Sequence, residues 1–160
     1  MVNGMKSKNK KICLIASSGG HLEELKQLKK IINKYNTYFV VAKTKSVDGN
    51  KEFKYKVCDF CRKNKILYVL TFIITFFQQL YIFIKERPDV VITTGPGMVV
   101  PTCLIAKLFK KKLIFIESFA RMTSPSKTGE KLYRYADLFF IQNEYLKKFY
   151  PNSIYKGALF

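Results

Sequence analysis

Neither of the usual glycine fingerprints for nucleotide phosphates occurs in this chain: there is no GxGxxG and no GxxxxGK[ST]. Nicotinamide-dinucleotide binding and P-loop phosphoryl transfer therefore lack their signatures. Histidine is nearly absent, His21 being the only one, and the four cysteines, Cys13, Cys58, Cys61 and Cys103, are scattered. Cys58 and Cys61 form a CxxC, but without a second pair or nearby histidines a zinc site has too few ligands, and no thioredoxin-like helix start follows. No metal and no cofactor are expected. Cys13 and Cys103 lie inside apolar runs, where a buried reduced thiol is the ordinary reading. Acidic residues are scarce as well, 11 against 29 Lys and Arg, for a formal charge of +18. Such a balance calls for anionic partners: phospholipid, nucleic acid or a diphosphate-bearing substrate. Lysine greatly outnumbers arginine and acts as a point charge more than as a bidentate reader of bases, which favours a surface over a base-reading groove. Part of the lysine excess is compositional, since Ile, Asn, Tyr and Phe are also plentiful, as in AT-rich genomes. The aromatics interleaved with lysines in Lys51 to Lys65 are the one hint of nucleic-acid binding; with no RNP-like or helix-turn-helix pattern, nucleic acid is not an expected partner. The N-terminus, MVNGMKSKNKK, is a basic tail over residues 1–10 without the apolar core of a signal peptide, so a cytoplasmic protein is expected.

At 160 residues and 48% hydrophobic content, the chain has the size and apolar content of one domain, over 11–160. Its organising stretch is Ile12 to Glu24, ICLIASSGGHLEE. Ile12 to Ala16 is an apolar run of the kind a strand buried on both faces requires. Ser17, Ser18, Gly19 and Gly20 then form a tight loop, and Leu22, Leu25, Leu28 and Ile32 follow at helical spacing. The free N–H groups of that helix start point back at the loop, where anions and phosphate are favoured; plain structural punctuation is the alternative.

Thr37 to Ala42 reads as a second strand, and a lysine-rich connection leads to a weakly marked strand at Tyr55 to Cys58. Ile66 to Ile84 is nineteen residues without a charge, flanked by Lys63, Lys65, Lys85 and Arg87. It is long enough to span a bilayer, but strands before and after it belong to one sheet and could not pair across a membrane. Ile66, Leu70, Ile73, Phe77, Leu80 and Ile84 form a stripe suited to packing on that sheet. The other face is still greasy, so monotopic membrane contact is expected through Tyr68, Phe72 and Ile74, with Lys65, Lys85 and Arg87 at the headgroups; a core helix or a protein interface is the alternative.

Strands follow at Asp89 to Thr93, Leu113 to Ile116 and Asp137 to Ile141. Helices are expected at Met98 to Phe109, Thr128 to Ala136 and Asn143 to Tyr150. This alternation predicts an α/β fold with a doubly wound parallel sheet, whose ligands bind at the C-terminal ends of the strands. Ser17 to His21, Thr94 to Gly97 and Glu117 to Arg121 each end a strand there, so one crevice would gather two glycine turns, a histidine, a carboxylate and an arginine.

SSGGH at Ser17 to His21, TTGPG at Thr93 to Gly97, IESFAR at Ile116 to Arg121, TGEKLY at Thr128 to Tyr133 and ADLFFIQ at Ala136 to Gln142 together resemble one family. It is the membrane-associated subunit of two-chain glycosyltransferases, which in eukaryotes anchors the enzyme adding the second N-acetylglucosamine to dolichol-diphosphate and in bacteria serves capsule and exopolysaccharide assembly. The chain is also similar to the N-terminal half of MurG-type GT-B enzymes. The resemblance implies a Rossmann-like half of a GT-B transferase that holds a polyprenyl-diphosphate-linked saccharide acceptor at the cytoplasmic face of an anionic membrane. The chain stops about where a second half would begin, so a donor-binding partner would bring the UDP-sugar. Ser17, Ser18, Gly19, Gly20, Thr94, Gly95, Gly97, Ser118 and Arg121 would bind the acceptor. His21 would be the base that takes the acceptor hydroxyl proton, or would only order the loop. Glu117 would orient the acceptor or pair with Arg121. A recruiter that activates its partner without contributing a side chain to chemistry is the alternative. No N-terminal transmembrane helix like that of the eukaryotic members precedes the first strand, so membrane binding would rest on the internal helix and the lysines.

Overall fold

The computed structural model describes residues 7–61 and 64–159. Lys63 and residues 1–6 of the expected tail lie outside them. Ser7–Lys10 are not tail but the start of strand β1, Ser7–Ala16, with Ser7 in register with Tyr35.

All strand pairs are parallel, in one seven-stranded sheet of order β3-β2-β1-β4-β5-β6-β7. The strands are β1, β2 (Tyr35–Ala42), β3 (Tyr55–Val57), β4 (Val90–Gly95), β5 (Lys112–Ile116), β6 (Leu138–Ile141) and β7 (Ile154–Tyr155). Alternation along β1 shows why the sheet is covered twice. Ile12, Leu14 and Ala16 point to one face with Leu22 and Leu25; Cys13 and Ile15 point to the other with Ile82, Phe83, Cys103 and Ala106. Helices α1 (Gly20–Lys26) and α2 (Lys29–Lys34) therefore lie on one side, and α4 (Lys65–Glu86), α5 (Val100–Leu108) and α6 (Lys127–Leu132) on the other.

Several boundaries differ from the sequence reading: the helix expected at Asn143 to Tyr150 is a 3-10 helix over Glu144–Lys148, and the one expected at Thr128 to Ala136 ends at Leu132. The helix expected through Leu22 and Ile32 is broken at Leu28 into α1 and α2, because Leu28 leaves helical geometry at ψ 38°. A four-residue helix, α3 (Lys45–Asp48), sits in the lysine-rich connection, held by buried Val47. The two-residue β7 has too little sequence for any periodicity to mark it.

Helix α4 reverses the expected sidedness. Ile66, Phe77 and Tyr81 are 73%, 61% and 63% exposed, and Val69, Leu70, Ile73 and Ile84 are also at least half or nearly half open, whereas Thr75 and Gln79 are 0% and 1% exposed. Of the stripe expected to pack on the sheet only Leu80 packs on the core and the rest faces outward, while Thr75 and Gln79 face inward, each with a backbone partner. Gln79 donates to the Met98 carbonyl at 2.8 Å and accepts from the Thr102 N–H and hydroxyl at 2.9 and 2.6 Å. Thr75 donates to the Cys58 carbonyl at 2.7 Å; Gln78 and Thr71 accept from the Cys58 and Cys61 N–H groups. Among the residues expected to touch the membrane, Tyr68, Ile74, Lys65, Lys85 and Arg87 are exposed, but Phe72 is half-buried against the Phe60 ring at 5.5 Å. Both ends of α4 feed one sheet, through β3 and β4, as expected.

Being a crossover between parallel strands, α4 runs opposite to them. Its 22 residues make about 33 Å, while the six residues of β4 make about 20 Å. Gln79 is level with the start of α5, and Thr75 and Gln78 are bonded to Cys58 directly after β3, so it is the turns of α4 before Thr75 that reach past the C-terminal edge of the sheet. The segment at Cys58 to Cys61 is what those hydrogen bonds hold beneath it.

At the opposite edge, acidic side chains are tied to lysines. Burial alone would raise the Glu86 carboxyl, but Lys11, Lys54 (2.8 Å) and Tyr55 all donate to it and hold it at about 2 instead of 4.5. Asp137 behaves alike: burial is outweighed by the Leu113 N–H, Lys107 and Lys112, leaving it at about 2. A carboxyl depressed on folding stabilises above its unfolded value and loses that contribution as pH falls through its folded one. Denaturant midpoints should thus fall between pH 4.5 and 2. Glu86→Gln should flatten that slope and remove about 1.5–3 kcal/mol at neutral pH, the worth of hydrogen bonds to a charged group; an unchanged slope refutes the assignment.

Candidate functional site

The order β2-β1-β4-β5 reverses direction between β1 and β4, and in open α/β sheets that is where a crevice opens at the carboxyl ends of the strands. The two glycine turns meet there, Ala16 being in register with Gly95. Gly19 and Gly95 have φ of 88° and 92°, backbone that a side chain would strain. A Cβ built on Gly19, Gly20 or Gly97 would meet nothing within 4 Å, so space lies directly in front of the main chain on both turns.

His21, the second residue of α1, lies against the β4 turn. A Cβ on Gly95 would come 3.8 Å from His21 Cε1 and 4.0 Å from Nδ1. The Thr94 hydroxyl donates to the His21 carbonyl at 2.7 Å, tying the two turns together. His21 Nδ1 is shielded from solvent and has no hydrogen-bond partner among the described residues, the kind of group that a ligand can satisfy. Ser17 is buried, with its hydroxyl on the Ser18 carbonyl at 3.3 Å, whereas Ser18 is half-buried.

A family model described as "Oligosaccharide biosynthesis protein Alg14 like" matches residues 12–159. The chain belongs to the Alg14 family. The human UDP-N-acetylglucosamine transferase subunit ALG14 is 28% identical over 177 residues, covering 92% of this chain and 82% of the human one. The Yarrowia lipolytica subunit of the same name is 26% identical over 179 residues, with 96% and 83% covered. Among solved structures, Acinetobacter baumannii MurG superimposes with a TM-score of 0.67 at 17% identity over 85% of this chain and 42% of that one. A UDP-N-acetylglucosamine 2-epimerase from Rickettsia bellii gives 0.74 at 12% identity, covering 94% and 45%. At such identities the likeness is one of fold: a Rossmann-like sheet like those of GT-B enzymes. The chain spans less than half the length of these solved structures.

In this Alg14-family chain Glu117 is not where a group acting on the acceptor was expected. Its side chain is fully buried. Its Oε2 accepts from the Tyr150 hydroxyl at 2.8 Å and from the Ser126 hydroxyl and N–H at 3.0 and 3.2 Å, and its Oε1 from the Ser118 N–H at 3.0 Å. It does not pair with Arg121, whose exposed guanidinium makes no ion pair among the described residues. Glu117 instead fastens the loop after β5 to the start of α6 and to Tyr150. Burial and the neighbouring Glu117 carboxylate push the Tyr150 hydroxyl well above its usual range, so it stays a donor. Gly129 is what admits this hub: a Cβ there would lie 2.2 Å from Glu117 Oε2 and 2.6 Å from the Tyr150 oxygen. Gly129→Ala should therefore cost about 3 kcal/mol or more, as overpacking of a buried polar cluster. A melting temperature within 2–3 °C of the parent, about 1 kcal/mol or less, refutes it.

Ser118 is also committed within the protein. Its hydroxyl is buried and donates to Glu24 at 2.8 Å. Glu24 and Gln142 went unassigned in the sequence, although both sit inside quoted motifs. Nothing in SGGHLEE separates Glu23 from Glu24; only the fold does, leaving the Glu23 side chain 57% exposed beside Lys26 and Glu24 buried. Away from the crevice, Leu28, Ile31, Ile114, Ile116, Phe140 and Leu159 line an apolar cavity of about 280 Å³ over β5 and β6, on the α2 side of the sheet.

Proposed function

We propose that this chain is the acceptor-side subunit of a two-chain, UDP-sugar-dependent hexosyltransferase working at the cytoplasmic face of the cell membrane. Its crevice between β1 and β4 receives the diphosphate of a polyprenyl-diphosphate-linked saccharide, and α4 lies on the bilayer. A separate donor-binding subunit brings the UDP-sugar, the product serving capsule or exopolysaccharide assembly. The observation that carries this reading is His21 held against Gly95 between two open glycine turns in a half-GT-B fold. The word "subunit" in the curated relatives' names supports a partner, and their UDP-N-acetylglucosamine makes it the first donor to test.

In this reading Gly19, Gly20, Gly95 and Gly97 offer close approach to the main chain, and the N–H groups at the start of α1 face the diphosphate. His21 takes the proton of the attacking hydroxyl, as an inverting transfer requires. Ser18, Thr94 and exposed Arg121 shape the rim, while Ser17, Ser118 and Glu117 act behind it by ordering the loops. The outward apolar face of α4, with Lys65, Lys85 and Arg87 at its ends, suits the headgroup layer of an anionic membrane. Four free cysteines fit a reducing compartment. The deciding experiment reconstitutes the chain with a candidate donor-binding subunit in vesicles holding the lipid-diphosphate acceptor and a panel of UDP-sugars. Transfer that needs both chains supports the reading; transfer by this chain alone, or none with any donor, overturns it.

A further inference from the structure

Glu24 lies one helical turn after His21 and is 4% exposed. Its carboxylate accepts from the Ser118 hydroxyl at 2.8 Å, the Phe119 N–H at 3.3 Å and Gln142 Nε2 at 2.8 Å. The partners stand 94, 95 and 118 residues away. No lysine, arginine or histidine pairs with it among the described residues, so dipoles alone balance a buried negative charge. That is a costly way to fill a core position unless the charge fixes something. Gln142 extends the chain of bonds: Nε2 also donates to the Glu117 carbonyl at 3.0 Å, and Oε1 accepts from the Leu159 N–H at 2.9 Å. One carboxylate thus joins the helix bearing His21, the loop bearing Arg121 and, through a single amide side chain, the segment at 156–159 that borders the apolar cavity.

We propose that Glu24 is a positioning residue that couples the segment at 156–159 to the acceptor crevice, so that ordering of that segment sets the placement of His21 and Arg121. The coupling rests on the transferase reading above. Its geometry asks for acceptors only. Ser118 can turn its hydroxyl, but the Phe119 N–H can only donate, and Gln142 is held in its orientation by Leu159. A glutamine at 24 has the same size and presents an NH2 to at least one of these donors, breaking the relay while keeping the volume.

Two measurements test this. Hydrogen exchange on the free, full chain compares wild type with Glu24→Gln. Exchange at Phe119 and Leu159 should rise by about tenfold or more, with strand β1 unchanged; equal protection at both amides overturns the coupling. In the reconstituted pair, Glu24→Gln should lower kcat by about tenfold with acceptor KM within about threefold, since misplacing a group acts on the transition state more than on binding. A kcat within twofold of wild type, or a loss that excess partner restores, overturns the positioning role. Should Glu24→Gln not fold, Gln142→Met, which cuts the link to Leu159 and leaves the Ser118 bond, carries the same two readouts. A wild-type pair that transfers no sugar overturns the transferase reading, and the exchange arm still decides the coupling.

Discussion

Replacing His21 by alanine should slow sugar transfer by roughly 10²–10⁴-fold, the range that a positioned general base contributes. Assembly with the donor-binding subunit and binding to vesicles should be unaffected. The expectation follows from position. Of the two groups expected at the crevice that could act as a base, Glu117 is sealed under Ser126 and Tyr150, and the nearby Glu24 is sealed under Ser118 and Gln142, which leaves His21 beside the open glycine turns. Structural damage should be small, because the tie from Thr94 is to the His21 carbonyl, which alanine keeps. Single-turnover rates with saturating acceptor isolate the chemical step. Near-normal turnover would make this subunit a recruiter whose partner supplies all the chemistry. A loss confined to acceptor KM would mean that the ring only shapes the binding site.

The second large effect belongs to α4. The double substitution Ile73→Glu and Phe77→Glu should weaken binding to anionic vesicles by more than about 100-fold and leave the melting temperature nearly unchanged. Both side chains project outward, at 45% and 61% exposure, so the folded chain does not depend on them. Full burial of an Ile or Phe is worth about 1.5–3 kcal/mol, and each 1.4 kcal/mol is about tenfold in partition; replacing both with carboxylates adds repulsion from acidic headgroups. Gln79→Leu, on the inner face, should do the reverse: it leaves the Thr102 N–H and the Met98 carbonyl unpaired and destabilises the fold while sparing the outer stripe. Flotation that survives the double substitution would assign the stripe to a protein interface.

The same helix marks how far single-sequence reasoning reaches. Its existence was legible from hydropathy and flanking charge, the expected Ile66 to Ile84 standing against an observed Lys65–Glu86, and so was the return of the chain to the same sheet after it. Its orientation was not, because the inward hydrogen-bond partners that decide it lie far off in the sequence. Here the polar residues find backbone partners inward, at Cys58, Cys61, Met98 and Thr102. Phe72, expected at the membrane, is half-buried because Phe60, twelve residues earlier, packs against it. The parallel sheet was legible because strand runs and helical periodicity alternate, and the glycine turns because their sequence is local. Glu117 was placed at the right strand end yet given the wrong neighbours: its true partners, Ser126 and Tyr150, lie nine and 33 residues on and carry no periodic signal. Glu24 escaped for the same reason at still longer range.

If α4 lies on a bilayer as proposed, its overhang past the sheet lies along the membrane surface. A helix lying on the bilayer touches it along its whole outer stripe, from Ile66 to Ile84, yet the crevice is level with neither end; the Gln79 contacts put it about two-thirds of the way along. A diphosphate bound between Gly19 and Gly97 would therefore stay tethered to a lipid that enters alongside the protein's flank, with the first turns of α4 extending beyond it. The overhang would then set how far along the membrane surface, to one side of the crevice, the protein covers the bilayer from which that lipid arrives.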